Sequence, residues 1–236
     1  MAHRPDTWAK PRLRRHASVA KPADVPCIYV LAGTNGAGKS SIGGAAFRER
    51  GADYFNPDEA ARAIRDKNPG ITLEEANGAA WFEGKRLLER AIHERLDYAF
   101  ETTLGGHTIA ALLETAMAAG IEVRIWYAGL ESAELHIARV RARVAKGGHD
   151  IPELKIRERY EQSRLNLIRL MPGLAELRIY DNSEDADPEA GVTPEPKLIL
   201  HMKAAAIVQS CALEEVPEWT KPLMAVAIGI ANTNPK

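Results

Sequence analysis

The sequence predicts an α/β fold in which a mostly parallel sheet lies between layers of helices. Three observations point there. From residue 27 onward, short β-rich runs alternate with longer segments rich in Ala, Leu, Glu and Arg, the pattern of strands joined by crossover helices. Glycines punctuate the junctions: Gly120 stands where a helix should stop before a strand, and Gly105 with Gly106 breaks the chain after another. A chain of 236 residues, 45% hydrophobic and 27% charged, can bury roughly 70 to 75% of its unfolded surface, which excludes wholesale disorder.

The elements follow in order. Residues 1–26 carry four prolines and six Lys or Arg against Asp6 and Asp24, and are read as a basic arm. Strands are predicted at 27–32, 53–56, 98–101, 123–127, 177–180 and 197–201, and helices at 39–50, 74–95, 108–119, 132–146 and 153–170. Segment 183–196, with five acidic residues, three prolines and no periodicity, reads as a surface loop. The organisation is one domain over 27–202 with a helical lid at about 131–173, preceded by the arm and followed by a C-terminal extension, 203–236.

Composition narrows the partners. Thirty-one Lys and Arg against thirty-two Asp and Glu give no global field for nucleic acid or an anionic membrane. The cluster Arg12, Arg14 and Arg15 is a short basic tail, more often solvated than bound, so no nucleic-acid partner is expected. The longest apolar run near the C-terminus, 223–231, has nine residues where a span needs about 20, and no membrane partner is expected either. The basic N-terminus lacks the apolar stretch of a secretory signal, which makes the cytoplasm the expected compartment. With only Cys27 and Cys211, a disulfide framework or Cys-based zinc site is excluded, and the seven histidines never cluster at ligand spacing.

The strongest signal is Gly33-Thr34-Asn35-Gly36-Ala37-Gly38-Lys39-Ser40, a full G-x-x-x-x-G-K-S directly after the apolar run 28–32, with Ser41 following. Wrapping a phosphate in backbone N–H groups requires close approach and left-handed angles, which Gly33, Gly36 and Gly38 permit. A helix beginning near Lys39 aims its positive end at the same anion. Lys39 can reach between terminal phosphates, and the Ser40 hydroxyl is the natural ligand for Mg2+. Nucleoside triphosphate binding follows, and with it a P-loop NTPase three-layer sandwich. The loop does not choose among kinase, hydrolase and mechanical switch.

Acidic residues at the carboxyl ends of neighbouring strands face such a loop. Asp58, in Tyr54-Phe55-Asn56-Pro57-Asp58-Glu59, could take a proton from an acceptor hydroxyl. It could equally complement a helix dipole, with Asn56 as N-cap and Pro57 at the first helical position. Glu101, closing the run Tyr98-Ala99-Phe100, could order metal-bound water or grip a substrate hydroxyl; the alternative is a hydrogen bond to a turn.

Residues 131–173 hold nine Lys or Arg against six acids. Arg139, Arg143 and Lys146 follow i, i+4, i+7, and Arg157 with Arg164 are seven apart, so each set shares a helical face. With the loop upstream, this pair reads as a lid that brings guanidinium groups to the triphosphate, rather than as a solvated face laced with salt bridges. Asp150-Ile151-Pro152-Glu153 is read as a capping box.

Together these residues resemble the zeta toxin family. The likeness is carried by 33–40, by Asn56-Pro57-Asp58-Glu59, by Phe100-Glu101-Thr102-Thr103-Leu104, and by Arg139-Val140 through Gly147-Gly148-His149-Asp150-Ile151-Pro152 to Arg159-Tyr160. Ser163, Asn166, Leu167 and Tyr180-Asp181-Asn182-Ser183 also match, over about 27–202. The resemblance implies a P-loop kinase, in its best-known members one that phosphorylates UDP-N-acetylglucosamine and is restrained by a small antitoxin protein. It implies that Lys39 and Ser40 bind ATP and Mg2+, that Asp58 is the base, that Glu101 and Thr102 hold the acceptor, and that Arg157, Arg159 and Arg164 belong to the lid. The departures are Asn56, where better-known members carry a first aspartate, and the reading Glu-Thr-Thr-Leu after Phe100.

The sequence therefore points to a Mg-ATP phosphotransferase acting on a small hydroxyl-bearing acceptor, with a nucleotide sugar as first candidate. Two rivals stand beside it: an ATP-gated binding protein that docks a partner through its arm or tail, and an ATP hydrolase.

Overall fold

The computed structural model describes residues 25–39, 42, 54–148, 150–184 and 195–233. Seven strands form one sheet: β1 (Cys27–Ala32), β2 (Tyr54–Phe55), β3 (Tyr98–Thr102), β4 (Glu122–Gly129), β5 (Glu176–Asp181), β6 (Lys197–Lys203) and β7 (Ala206–Ser210), in the order β2-β3-β1-β4-β5-β6-β7. The first five are parallel to one another and the last two antiparallel. The described helices are α1 (Pro57–Lys67), α2 (Leu73–Glu94), α3 (His107–Ala118), α4 (Ala133–Ala145), α5 (Glu153–Leu170) and α6 (Lys221–Thr233).

A strand flanked on both sides reads as a continuous apolar run, and β1 does so because it sits between β3 and β4. Its Ile28 and Val30 join Tyr98, Phe100, Val123, Ile125 and Tyr127 in the main core. Leu87 and Leu88 of α2, Leu113 of α3 and Leu167 and Leu170 of α5 close over them. Each such side chain contributes about 1.5 to 3 kcal/mol on burial. The register sets Leu31 beside both Glu101 and Trp126, so β1 and β3 finish level at Ala32 and Thr102 while β4 runs two residues further, to Gly129.

The fold class expected from the sequence is the one observed, with instructive differences. The predicted helix 39–50 lies outside the described residues except for Lys39 and Ile42, as do residues 185–194 of the predicted loop. Helix α1, raised in the sequence only as the capping alternative for Asp58, is formed and carries Asn56 at its N-cap. β6 pairs antiparallel with β5, through a register shift between Ile179 and Tyr180.

Residues 206–233, set apart in the sequence as an extension, pack into the same body. The turn between β6 and β7 uses Ala204 and Ala205 at φ +46° and +66°, a two-residue hairpin geometry normally announced by Asn-Gly. Two alanines give no such signal. Helix α6 then buries Leu223, Met224 and Ala227 in the main core.

The capping box expected at 150–153 is not formed: α5 begins at Glu153 with Pro152 at its N-cap and no side-chain cap. The Asp150 Oδ1 atom instead accepts from the Ile151 N–H at 2.8 Å. Ile151 packs with Ile137, Val140 and Ile156, which keeps 150–152 out of the helix. Among the described residues no helix is long and apolar enough to cross a membrane.

Candidate active site

The glycine-rich loop leaves the end of β1 against β4 and the end of β5. Gly33 has φ +143°, and a Cβ there would stand 2.2 Å from the Ala128 carbonyl oxygen. Gly38 has φ +75°, with the Asn182 amide nitrogen 2.2 Å from where a Cβ would be. Neither position accepts a side chain, as a backbone shaped around an anion requires.

Four hydrogen bonds hold the loop in place. Asn182, 2% exposed, donates from Nδ2 to the Ala37 carbonyl at 3.0 Å. His136 of α4, 1% exposed, donates from Nδ1 to the Asn35 carbonyl at 2.8 Å, and burial pushes its pKa down to about 4, so the ring is neutral. The Asn35 Oδ1 atom accepts from Arg159 Nη1 of α5 at 2.8 Å, and the Thr34 hydroxyl donates to the Arg159 carbonyl at 3.3 Å. Asn35 thereby joins the loop to both lid helices. Burial also lowers the pKa of Arg159, with Asp58 and Glu158 acting in the opposite sense.

Lys39 is buried, and its ammonium donates to the Gly33 carbonyl at 2.8 Å while lying 3.4 Å from Glu101 Oε1. The other carboxylate oxygen of Glu101 accepts from the Tyr54 hydroxyl at 2.8 Å and from Asn56 Nδ2 at 3.0 Å. Glu101 is therefore fixed between β1, β2 and the α1 N-terminus. Asn56 Oδ1 accepts from the N–H groups of Asp58 and Glu59 at 2.9 and 3.2 Å, so the capping geometry expected as the alternative for this segment is present. It occupies the Asp58 backbone and leaves its carboxylate in the cleft, with Arg143 Nη1 3.9 Å from Oδ2. Thr102 Oγ1 accepts from the Leu104 N–H at 3.0 Å, and the residue lines the cleft beside Glu101.

The turn that follows is braced from α5. Leu104 sits at φ +54°, an uncommon angle for a residue with a side chain. Asn166 Nδ2 donates to its carbonyl at 2.8 Å, and Ser163 donates to the Thr103 carbonyl at 2.7 Å.

These groups surround one cleft of about 1500 Å³, lined by the loop, Asp58, Glu101, Thr102 and the lid. From the lid come Arg139 and Arg143 of α4 and Lys155 and Arg159 of α5. Arg157 and Arg164, expected there, are not brought to it. On α5 the cleft is lined by 155, 158, 159, 161 and 162, and Arg157 is two residues, about 200°, away from Arg159. Its guanidinium pairs with Glu134 at 2.6 Å on the outer surface. Arg164 shares a face with Arg157, as its spacing implied, but lies 4.1 Å over the Tyr160 ring and pairs with Glu161. Ser40, Ser41 and His149 lie outside the described residues. Among the described residues no group of three or more His, Cys, Asp or Glu could hold a metal ion.

Sequence reasoning missed His136 as a support of the loop and gave Asn182 no role. A lone histidine on an apolar helical face carries no spacing signal, and Asn182 stood only within the matched run 180–183.

A glycine loop opening at the middle strand of a sheet ordered β2-β3-β1-β4-β5, with two helices tied across it, defines the class of P-loop kinases and related NTPases. Within that class the chain belongs to the Zeta toxin family, whose model matches residues 12–187. The match starts inside the N-terminal arm, earlier than the resemblance drawn from motifs, and stops short of β6. An uncharacterized protein of Haemophilus influenzae is 33% identical over 129 residues, 54% of this chain and 88% of that protein. Among solved structures, a chain of the AvrRxo1-ORF1:AvrRxo1-ORF2 complex with sulphate ions superposes with a TM-score of 0.60 at 16% identity over 87% of this chain. This chain spans 64% of that one. A chain of the PezAT chromosomal toxin-antitoxin system of Streptococcus pneumoniae superposes with a TM-score of 0.52 at 16% identity, covering 90% of this chain and 88% of its own. Family and fold together support a kinase-like function.

Proposed function

We propose that the protein is an ATP-dependent phosphotransferase that moves the γ-phosphoryl group to a hydroxyl of a small acceptor, with UDP-N-acetylglucosamine as first candidate. The observation that carries this reading is one cleft holding the loop lysine, Glu101 3.4 Å from it, and the Asp58 carboxylate. The loop fits a polyphosphate: its glycines leave no room for side chains, and Lys39 is 8% exposed beneath it. Mg2+, held by Ser40, would supply charge neutralisation on the transferring phosphates.

In this reading Glu101, fixed by Tyr54 and Asn56, orients the acceptor alcohol with Thr102. Asp58 takes its proton as the oxygen attacks phosphorus, and the bond between the γ-phosphorus and the bridging oxygen breaks to leave ADP. Lys39, Arg159 and the α4 arginines stabilise the charge on the equatorial oxygens. A small antitoxin protein is the partner that family membership suggests.

Purified protein incubated with labelled ATP and a panel of nucleotide sugars, nucleosides and oligonucleotides, read by mass, tests the proposal. The expected result is one added phosphoryl unit on a single compound. Phosphate release at full rate without any acceptor supports a hydrolase instead.

A further inference from the structure

The two edges of the sheet are finished differently. On one side the sheet ends at β2, which has two residues and passes at once into Asn56 and the proline that opens α1. A very short strand followed by proline offers little for another strand to pair with. On the other side it ends at β7, Ala206-Ile207-Val208-Gln209-Ser210, which is five residues long and has neither charge nor proline. Val208, Gln209 and Ser210 are exposed, and among the described residues no strand pairs with the outer side of β7. Of the eight large apolar side chains more than a third exposed among the described residues, three belong to this C-terminal unit: Val208 at 58%, Leu213 at 70% and Ile228 at 39%.

The register says what can pair there. Ile207 lies opposite Met202 and Ser210 opposite Leu200, and both Met202 and Leu200 are buried in the main core. Val208 is the extra residue of a bulge, so Ile207 and Ser210, three apart, stand on the same face of the sheet. Two strands related by a two-fold axis run antiparallel and set like faces together. A second copy of β7 meets that condition, with Ile207 of each copy opposite Ser210 of the other. The ends then match in charge. Lys203 stands beside the turn that starts β7 and Glu214 shortly after its end; both are exposed, and neither makes an ion pair among the described residues. Antiparallel pairing brings the start of one strand to the end of the other, so the Lys203 of each copy comes to the corner that holds the other copy's Glu214.

We propose that β7 is a self-pairing edge, at which two copies of this chain join antiparallel into one continuous sheet. Val208 and Leu213 supply apolar burial at the seam. A strand this short, with few flanking side chains, is small beside the roughly 1,200 to 2,000 Å² that stable interfaces bury, so the dimer dissociates on dilution. The unit lies beyond residues 12–187, which the family model matches, and β4, β5 and β6 separate it from β1 and the phosphate loop, so pairing leaves the cleft open.

Sedimentation velocity on the full chain from about 1 to about 200 μM tests it, with hydrogen exchange across 206–210 followed at both ends of that range. Wild type is expected to pass from monomer to dimer as concentration rises, and exchange across 206–210 to slow with it. Val208→Lys, which sets a charge on the exposed edge, is expected to raise the dissociation constant at least ~10-fold and to leave the melting temperature of the dilute monomer unchanged. Lys203→Glu is expected to weaken the dimer and the addition of Glu214→Lys to restore it, a reversal that loss of structure cannot produce. The proposal is overturned if the chain is monomeric at every concentration: slow exchange across 206–210 then means that other residues of the chain cover the edge, and fast exchange that it is open to a different protein. It is overturned equally if the dimer survives Val208→Lys unchanged, or if the paired charge reversal does not restore it. No readout involves nucleotide or acceptor, so failure of the phosphotransferase reading leaves each of these outcomes as it is.

Discussion

The two sides of the cleft are held by different means. On the phosphate side, a short loop is pinned by side chains from three places: the buried Asn182 after β5, the buried His136 of α4 and the half-buried Arg159 of α5. On the acceptor side, Asp58 is substantially exposed, and the α1–α2 hairpin that carries it rests on a small core of Ala61, Ile64, Ala76 and Ala80. Small side chains bury little area, so α1 and the first half of α2 are joined by less apolar burial than the second half of α2, where Leu87 and Leu88 enter the main core. The loop is shaped by hydrogen bonds to its own backbone, whereas Asp58 stands on a helix whose apolar contacts are few.

Substitutions can break this contrast or sharpen it. The largest effect is expected from Lys39→Ala, which removes the only loop cation among the described residues and should lower turnover at least ~100-fold in a labelled-phosphate assay. Asp58→Ala should also lower turnover at least ~100-fold while calorimetry finds ATP affinity nearly unchanged. If that variant transfers phosphate at a near-normal rate, Asp58 serves only the dipole of α1.

Asn35→Ala should act on the phosphate side, because it strands the Arg159 guanidinium while sparing the His136 bond to the main chain. Losing a hydrogen bond to a charged group costs about 1.5 to 3 kcal/mol, so ATP affinity is expected to fall roughly tenfold or more. His136 makes a pH prediction. Its pKa in the folded chain, about 4, lies below the ordinary value of 6.5, so the unfolded chain binds more protons between those limits. Stability should therefore drop as pH falls from 6.5 toward 4, with a slope approaching about 1.4 kcal/mol per pH unit. In urea unfolding at pH 7, 6 and 5, His136→Phe should be less stable at pH 7, with the gap to wild type shrinking in acid.

The smallest effect is expected from Arg157→Ala. Its pair with Glu134 is exposed, and water and salt screen such a pair until it contributes little. Turnover within about twofold of wild type is the expected outcome, and a larger loss would return this arginine to the lid.

The sequence was most informative where chemistry and backbone demand the same residues. The glycines of the loop are legible because left-handed angles and missing Cβ atoms exclude alternatives, and β1 because a central strand must be apolar throughout. It was least informative where a residue acts through its neighbours. Heptad spacing correctly placed Arg157 and Arg164 on one face of α5, but spacing does not say which face meets the loop; Arg159, two residues from Arg157, does. His136 and Asn182 work by donating to main-chain carbonyls of a distant segment, which leaves no trace in local pattern. The hairpin at Ala204 and Ala205 was invisible because ordinary alanines take a turn that glycine or asparagine usually marks.

The last strand and helix are less separable from the site than their place in the chain suggests. Trp219, ahead of α6, donates from Nε1 to Asp181 at 2.9 Å, and its ring covers Gly129, where a Cβ would come within 2.2 Å of it. Gly129 follows Ala128, whose carbonyl oxygen is the surface on which Gly33 rests. A chain trimmed at residue 202 would thus unroof the floor of the nucleotide cradle, and a fusion is better tolerated at the far C-terminal end than at that apparent boundary.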